Sequence, residues 1–90
     1  MTYTTPDMVI SGVPYKVTEV GGIAPADLDD FVDDSEFVLQ GATGQHLITG
    51  EGTRHGDTVR FHEKADHGGG RDVRVWTVRP SEDGFSAEAT

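Results

Sequence analysis

Ninety residues make one small domain with a modest core. The formal net charge of −9, from sixteen acidic against seven basic residues, is opposite in sign to that of a nucleic-acid binder. There is no cysteine, which excludes disulfides, thiolate metal sites and a cysteine nucleophile, and no apolar stretch approaches the roughly 18 residues of a membrane span.

Residues 1–6 read as a polar tail without the basic and apolar regions of a signal peptide, so a cytoplasmic location is expected. From residue 7 the pattern is strand, turn, strand. Met8, Val9 and Ile10 form a short apolar run, and Ser11-Gly12 has turn chemistry. Val13, Tyr15 and Val17 then alternate with Pro14, Lys16 and Thr18, the period of a half-buried strand. Gly21-Gly22 breaks this pattern. Ile23, Leu28, Phe31 and Val32 recur at roughly helical spacing, with Pro25 placed for a first turn and Asp27 near the positive end of the dipole, so a short helix is predicted over residues 25–32.

Residues 36–40 carry the continuous apolar run Phe37-Val38-Leu39, which predicts a strand covered on both faces. After a turn at residues 41–44, a fourth strand is predicted over residues 45–49, and residues 50–57 read as a polar, glycine-containing loop. Residues 58–63 alternate again, with Val59 and Phe61 on one face and Arg60 and His62 on the other. A polar break ends in Gly68-Gly69-Gly70. Residues 72–79 alternate strongly, with Val73, Val75 and Thr77 opposed to Arg74, Trp76 and Val78. The domain is therefore drawn over residues 7–79, with 80–90 as a loose C-terminal tail in which Phe85 is an anchor.

Candidate chemistry is sparse. His62, Glu63, Asp66 and His67 bring imidazole and oxygen donors together, but their spacing is not that of a helical metal motif, and no metal or other cofactor is expected. None of the four serines sits in a nucleophile elbow, and the glycine loop at residues 50–56 lacks the lysine of a phosphate-binding loop. No catalytic residue is assigned, and the chain is read as a non-enzyme. Asp27, Asp29, Asp30, Asp33 and Asp34 form an acidic segment that suits a basic protein partner, and suits solubility equally well. Trp76 reads either as a core residue or as an anchor for a protein partner.

The order of hairpin, short helix, strand, short strand, loop and strand resembles the ubiquitin-like β-grasp superfamily, and within it the sulfur carriers and bacterial ubiquitin-like modifiers. The residues carrying the resemblance are Met8-Val9-Ile10, Ser11-Gly12, Tyr15-Lys16-Val17, the segment from Ala26 to Val32, Glu36-Phe37-Val38-Leu39, and Gly56-Asp57-Thr58-Val59-Arg60-Phe61 leading to the glycines. It covers about residues 7–70. It implies an α+β fold, a β-grasp-like mixed sheet of four to five strands with one short helix. It also implies a modifier or carrier whose tail, Gly68, Gly69 and Gly70, is exposed by a peptidase and activated by an adenylating enzyme before passing to a conjugating enzyme. The family ends at its glycines, whereas this chain runs on for twenty residues. Either that extension is removed, or residues 72–79 join the sheet and the glycines are an internal loop; the alternation around Trp76 favours the second. Two other readings stay open. One is a small acidic binding protein without conjugation chemistry, such as an inhibitor or a defence- or phage-related adaptor. The other is a small β-barrel with one helix and an assembly role. No nucleic acid or membrane partner is expected, and a monomer is.

Overall fold

In a computed structural model the chain forms a closed antiparallel barrel of six strands, and residues 10–41, 44–64, 72–82 and 84–90 are described. The strands are β1 (Pro14–Val20), β2 (Asp33–Gly41), β3 (Gly44–His55), β4 (Thr58–Lys64), β5 (Asp72–Ser81) and β6 (Gly84–Ala89). Each pairs with the next in sequence, and β6 returns to β1 through Pro14↔Glu88 and Val17↔Phe85. Closure removes the two free edge strands that an open sheet would have.

The expected α+β β-grasp-like mixed sheet of four to five strands is corrected by this topology. All six strands are antiparallel to their neighbours, and the sole helical element among the described residues is a four-residue 3-10 turn, Leu28–Phe31. The apolar spacing that predicted a longer helix is carried by two residues. Leu28 and Phe31, three apart, are buried on one face of that turn, whereas Ile23 is 68 % exposed and lies outside it. Pro25 precedes the turn, and Asp27 caps it from an extended conformation.

Several sequence boundaries also move. Residues 50–55, read as loop, continue β3, and the stretch read as a loose tail contains the end of β5 and all of β6. Pro80 lies inside β5, opposite Phe85. Residues 72–79 are within β5, in line with the alternation around Trp76. The turn at Ser11-Gly12 is present, while Met8 and Val9 lie outside the described residues.

Alternation sets what fills the barrel. In β4 and β6 every second residue is buried: Val59, Phe61 and Glu63, then Phe85, Ala87 and Ala89. In β1 the alternation slips at a bulge between Val17 and Glu19, so both Val17 and Val20 point inward. The centre is aromatic. Phe37 stacks edge-on against Phe31, Phe61 and Trp76 at ring-centroid distances of 5.7, 4.8 and 6.2 Å, and Phe31 meets Phe85 at 5.6 Å. Val38 faces outward between these but is still buried, so the Phe37-Val38-Leu39 run is covered on both sides as its composition predicts.

β3 is the longest strand, and it changes partners along its length: residues 44–52 pair with β2 and residues 50–55 with β4. Gly50 and Gly52 stand in the overlap, where the strand must bend. A Cβ on Gly52 would lie 1.9 Å from the Phe31 carbonyl oxygen, and one on Gly50 would lie 2.0 Å from that of His62. The missing side chain at Gly52 lets the 3-10 turn sit down on the wall and place the Phe31 ring inside.

Candidate functional site

Strand direction divides the barrel into two ends. The cap end holds the β1 terminus, the 3-10 turn and the β3–β4 and β5–β6 turns; the far end holds the start of β1 and the end of β6. Polar side chains with defined geometry gather in two places.

The first is inside the wall. Glu63 and Arg74 are cross-strand neighbours, as are Phe61 and Trp76. The Glu63 Oε1 accepts a hydrogen bond from Trp76 Nε1 at 2.8 Å and pairs with Arg74 Nε at 3.2 Å. Glu63 is 3 % exposed. A carboxylate at that depth requires a counter-charge and donors, and this one has both. Also on the interior, His46 is 1 % exposed and packs against Gly41, where a Cβ would fall 2.3 Å from its Nε2. The Tyr15 hydroxyl accepts from the Ile10 backbone N–H at 3.0 Å and holds the approach to β1. Every buried side-chain nitrogen and oxygen of the described residues has a partner. The arrangement is a self-satisfied network that neutralises its own charge; it offers no activated nucleophile or base.

The second is the outer surface of the cap end. Gly21 and Gly22, at φ +60° and +86°, form a two-residue turn closed by Val20 N–H to Ile23 O at 2.8 Å and Ile23 N–H to Val20 O at 3.2 Å. Both positive values suit glycine. The chain then runs through Ala24, Pro25 and Ala26 to Asp27, whose carboxylate accepts from the Asp29 N–H at 3.1 Å. Asp30 completes a capping box: its Oδ2 accepts from the N–H groups of Asp27 at 3.0 Å and Ala26 at 2.9 Å. Arg54 on β3 reaches across, with Nη1 2.7 Å from Asp29 Oδ1 and 3.7 Å from Asp27 Oδ1, and Nε donating to the Gly56 carbonyl at 3.0 Å. The hydrogen bond to Asp29 raises the Arg54 guanidinium above its already high value, aided by attraction to Asp29, Asp27 and Asp57. Asp33 follows with φ +65°, a left-handed conformation that turns the chain into β2.

The structure thus brings Asp27, Asp29 and Asp30 together, with roles inside the fold as cap, ion-pair partner and box. Asp33 is exposed, and the backbone of Asp34 pairs with Glu51 in the β2–β3 ladder. Trp76 is fully buried in the core. Gly68, Gly69 and Gly70 lie outside the described residues. His62 and Glu63 are on opposite faces of β4, and His67 and Asp66 lie outside the described residues. Sequence reasoning missed the Glu63–Arg74 pair, although parity contained it: Glu63 shares the face of Val59 and Phe61, and Arg74 that of Trp76 and Val78. It also missed that Ile23 is exposed, for which the adjacent Gly21-Gly22 turn was the available signal.

Compared with models of protein families, with curated proteins and with solved structures, the chain matches none.

Proposed function

We propose that this protein is a small acidic protein-binding module that works through the outside of its barrel, catalyses nothing, and docks basic protein surfaces at its cap end. The observation that carries the reading is the filled interior. Phe31, Phe37, Phe61 and Trp76 occupy the barrel centre at full burial, so specificity falls to the outer surface. There the cap end carries Asp27, Asp29, Asp30, Asp33 and Asp57, all exposed, and the exposed side chain of Ile23. A chain of net charge −9 attracts basic partners at long range and leaves contact specificity to shorter-range groups.

The conjugation route draws no support from the barrel. Gly68, Gly69 and Gly70 stand between β4 and β5 in sequence, and cleavage after Gly70 would remove β5 and β6. Those strands carry Trp76, Val78, Phe85, Ala87 and Ala89 of the core. A peptidase exposing the glycines would open the barrel rather than release a mature domain.

The test is affinity capture from a lysate of the source organism, using the full chain and a variant with Asp33→Asn and Asp57→Asn, two exposed carboxylates outside the capping box. A basic protein held by the parent and released by the variant or by moderate salt supports the reading. Equal retention by both, or none, overturns it.

A further inference from the structure

β1 is the strand that the barrel holds least. Its ladders to β2 and β6 are the two shortest, running from Lys16↔Gln40 to Val20↔Phe37 and from Pro14↔Glu88 to Val17↔Phe85. The first is interrupted by the bulge between Val17 and Glu19, and Pro14 has no N–H to give to the second. The core is arranged the same way. Phe31, Phe37, Phe61, Trp76 and Phe85 all lie outside β1, which adds Val17, Val20 and the half-buried Tyr15. The 3-10 turn packs on β2, β3, β4 and β5. With β1 withdrawn, the strands β2 to β6 and the turn keep their pairings and their aromatic cluster, which makes β1 a unit that can open by itself.

The link from β1 to the rest is separable as well. Gly21, Gly22, Ile23, Ala24 and Ala26 are exposed. On the β1 side the link is tied by the paired Val20 and Ile23 hydrogen bonds and by the Gly21 N–H to the Glu36 carbonyl at 2.9 Å. On the other side Asp30 holds the N–H groups of Ala26 and Asp27, so the start of the 3-10 turn is fixed without β1. Opening the first set of bonds frees residues 21–25, which span about 17 Å when extended. That is more than half the 25–28 Å width of the barrel, so the freed strand reaches a second barrel lying against this one.

We propose that β1 is an exchangeable strand: two copies of the chain open at β1 and each places that strand in the other's barrel. This goes beyond the cap-end reading and does not depend on it. Each β1 makes in the partner barrel the pairs with β2 and β6 that it makes in its own, so the exchange needs no complementary outer surface. Because it is reciprocal, assembly stops at two. The net charge of −9 on each chain opposes the approach. Salt shortens the reach of that repulsion from about 10 Å at 0.1 M to about 3 Å at 1 M, so added salt favours the pair.

The chain has no cysteine, so introduced thiols report the exchange alone. Lys16 and Ser86 are cross-strand partners on the outer face of β1 and β6. Lys16→Cys and Ser86→Cys are made in separate chains and mixed with oxidised glutathione at about 1 mM protein and about 1 M salt, where weak pairing and short-range screening apply. A disulfide-linked pair of the two different chains is expected, about tenfold or more above that from Lys16→Cys mixed with Thr53→Cys, an exposed site on β3. A single chain carrying both Lys16→Cys and Ser86→Cys, oxidised in dilute solution, closes its own seam. Concentrated again, it is expected to stay monomeric by size exclusion, whereas the parent reaches a dimer and goes no further. Unaltered Trp76 fluorescence certifies the fold of each variant. Cross-linking no greater than with Thr53→Cys overturns the proposal. So does a parent chain that is monomeric at the highest concentration, or a locked chain that dimerises like the parent.

Discussion

Two arginine–carboxylate pairs of the same chemistry occupy opposite environments in this barrel. Arg54 and Asp29 meet at 2.7 Å on the surface of the cap end, with side chains 44 % and 69 % exposed. Arg74 and Glu63 meet at 3.2 Å inside the wall, with side chains 17 % and 4 % exposed. The shorter contact is the weaker contributor to stability. Water and salt screen the first, and long side chains lose freedom to form it. Removing one member of the second strands a charge where water cannot reach, and that cost is large even though the intact pair gains little over an apolar replacement.

The largest expected effect follows from that asymmetry. Arg74→Met takes the guanidinium away from the buried Glu63 carboxylate, and is expected to lower unfolding stability by about 3–5 kcal/mol. Urea denaturation followed by the fluorescence of the single tryptophan reads this directly. Adding Glu63→Leu to Arg74→Met is expected to recover a large part of the loss, because it removes the stranded charge. A double variant no more stable than Arg74→Met would mean that the Glu63 carboxylate acts chiefly by orienting the Trp76 ring.

The next effect compares two glycines. Gly52→Ala pushes a methyl against the Phe31 carbonyl and the Val59 side chain, and the 3-10 turn must lift; overpacking of this kind costs about 1–3 kcal/mol. Gly56→Ala has open space around its Cβ but stands at φ +60°, where an L-residue costs roughly 1 kcal/mol. Gly52→Ala should also speed hydrogen exchange at the Val32 N–H, which bonds to the Asp29 carbonyl in the turn; Gly56→Ala should leave it unchanged. Asp33 gives a smaller step of the same kind. Asp33→Val places a β-branched residue at φ +65° and is expected to cost about 1–2 kcal/mol, while Asp33→Gly relieves the conformation and is expected to be close to neutral. Thermal melts of the pair separate backbone conformation from loss of the carboxylate.

Strand parity made β4 and β5 legible, down to which residues of each strand share a face. It failed at β6 for a reason of volume. The inward residues of β6 after Phe85 are Ala87 and Ala89, and they face Val78 and Trp76 across the ladder. Trp76 fills the space that larger residues on β6 would occupy, so a core strand reads as Ser-Ala-Glu-Ala and passes for a tail. The helix failed for a reason of count: Leu28 and Phe31 need one 3-10 turn, and Gly52 opposite them supplies the room. Reading residues 50–57 as a polar loop missed that their glycines serve the bend of a long strand. The acidic segment was legible as charge, but the ion-pair role of Asp29 depends on Arg54, twenty-five residues away.

The smallest expected effect is at that surface pair, and it sharpens the contrast most. Arg54→Met removes a guanidinium that contacts Asp29, Asp27 and the Gly56 carbonyl. By environment it should leave the melting temperature within the scatter of repeat measurements, because each freed carboxylate is already in water. The capping box does not use Arg54: Asp27 still accepts from Asp29, and Asp30 from Ala26 and Asp27. A melting temperature lowered as far as by Arg74→Met would show that Arg54 holds the 3-10 turn against β3, and that the cap end is built around this arginine rather than around the buried ring of Phe31.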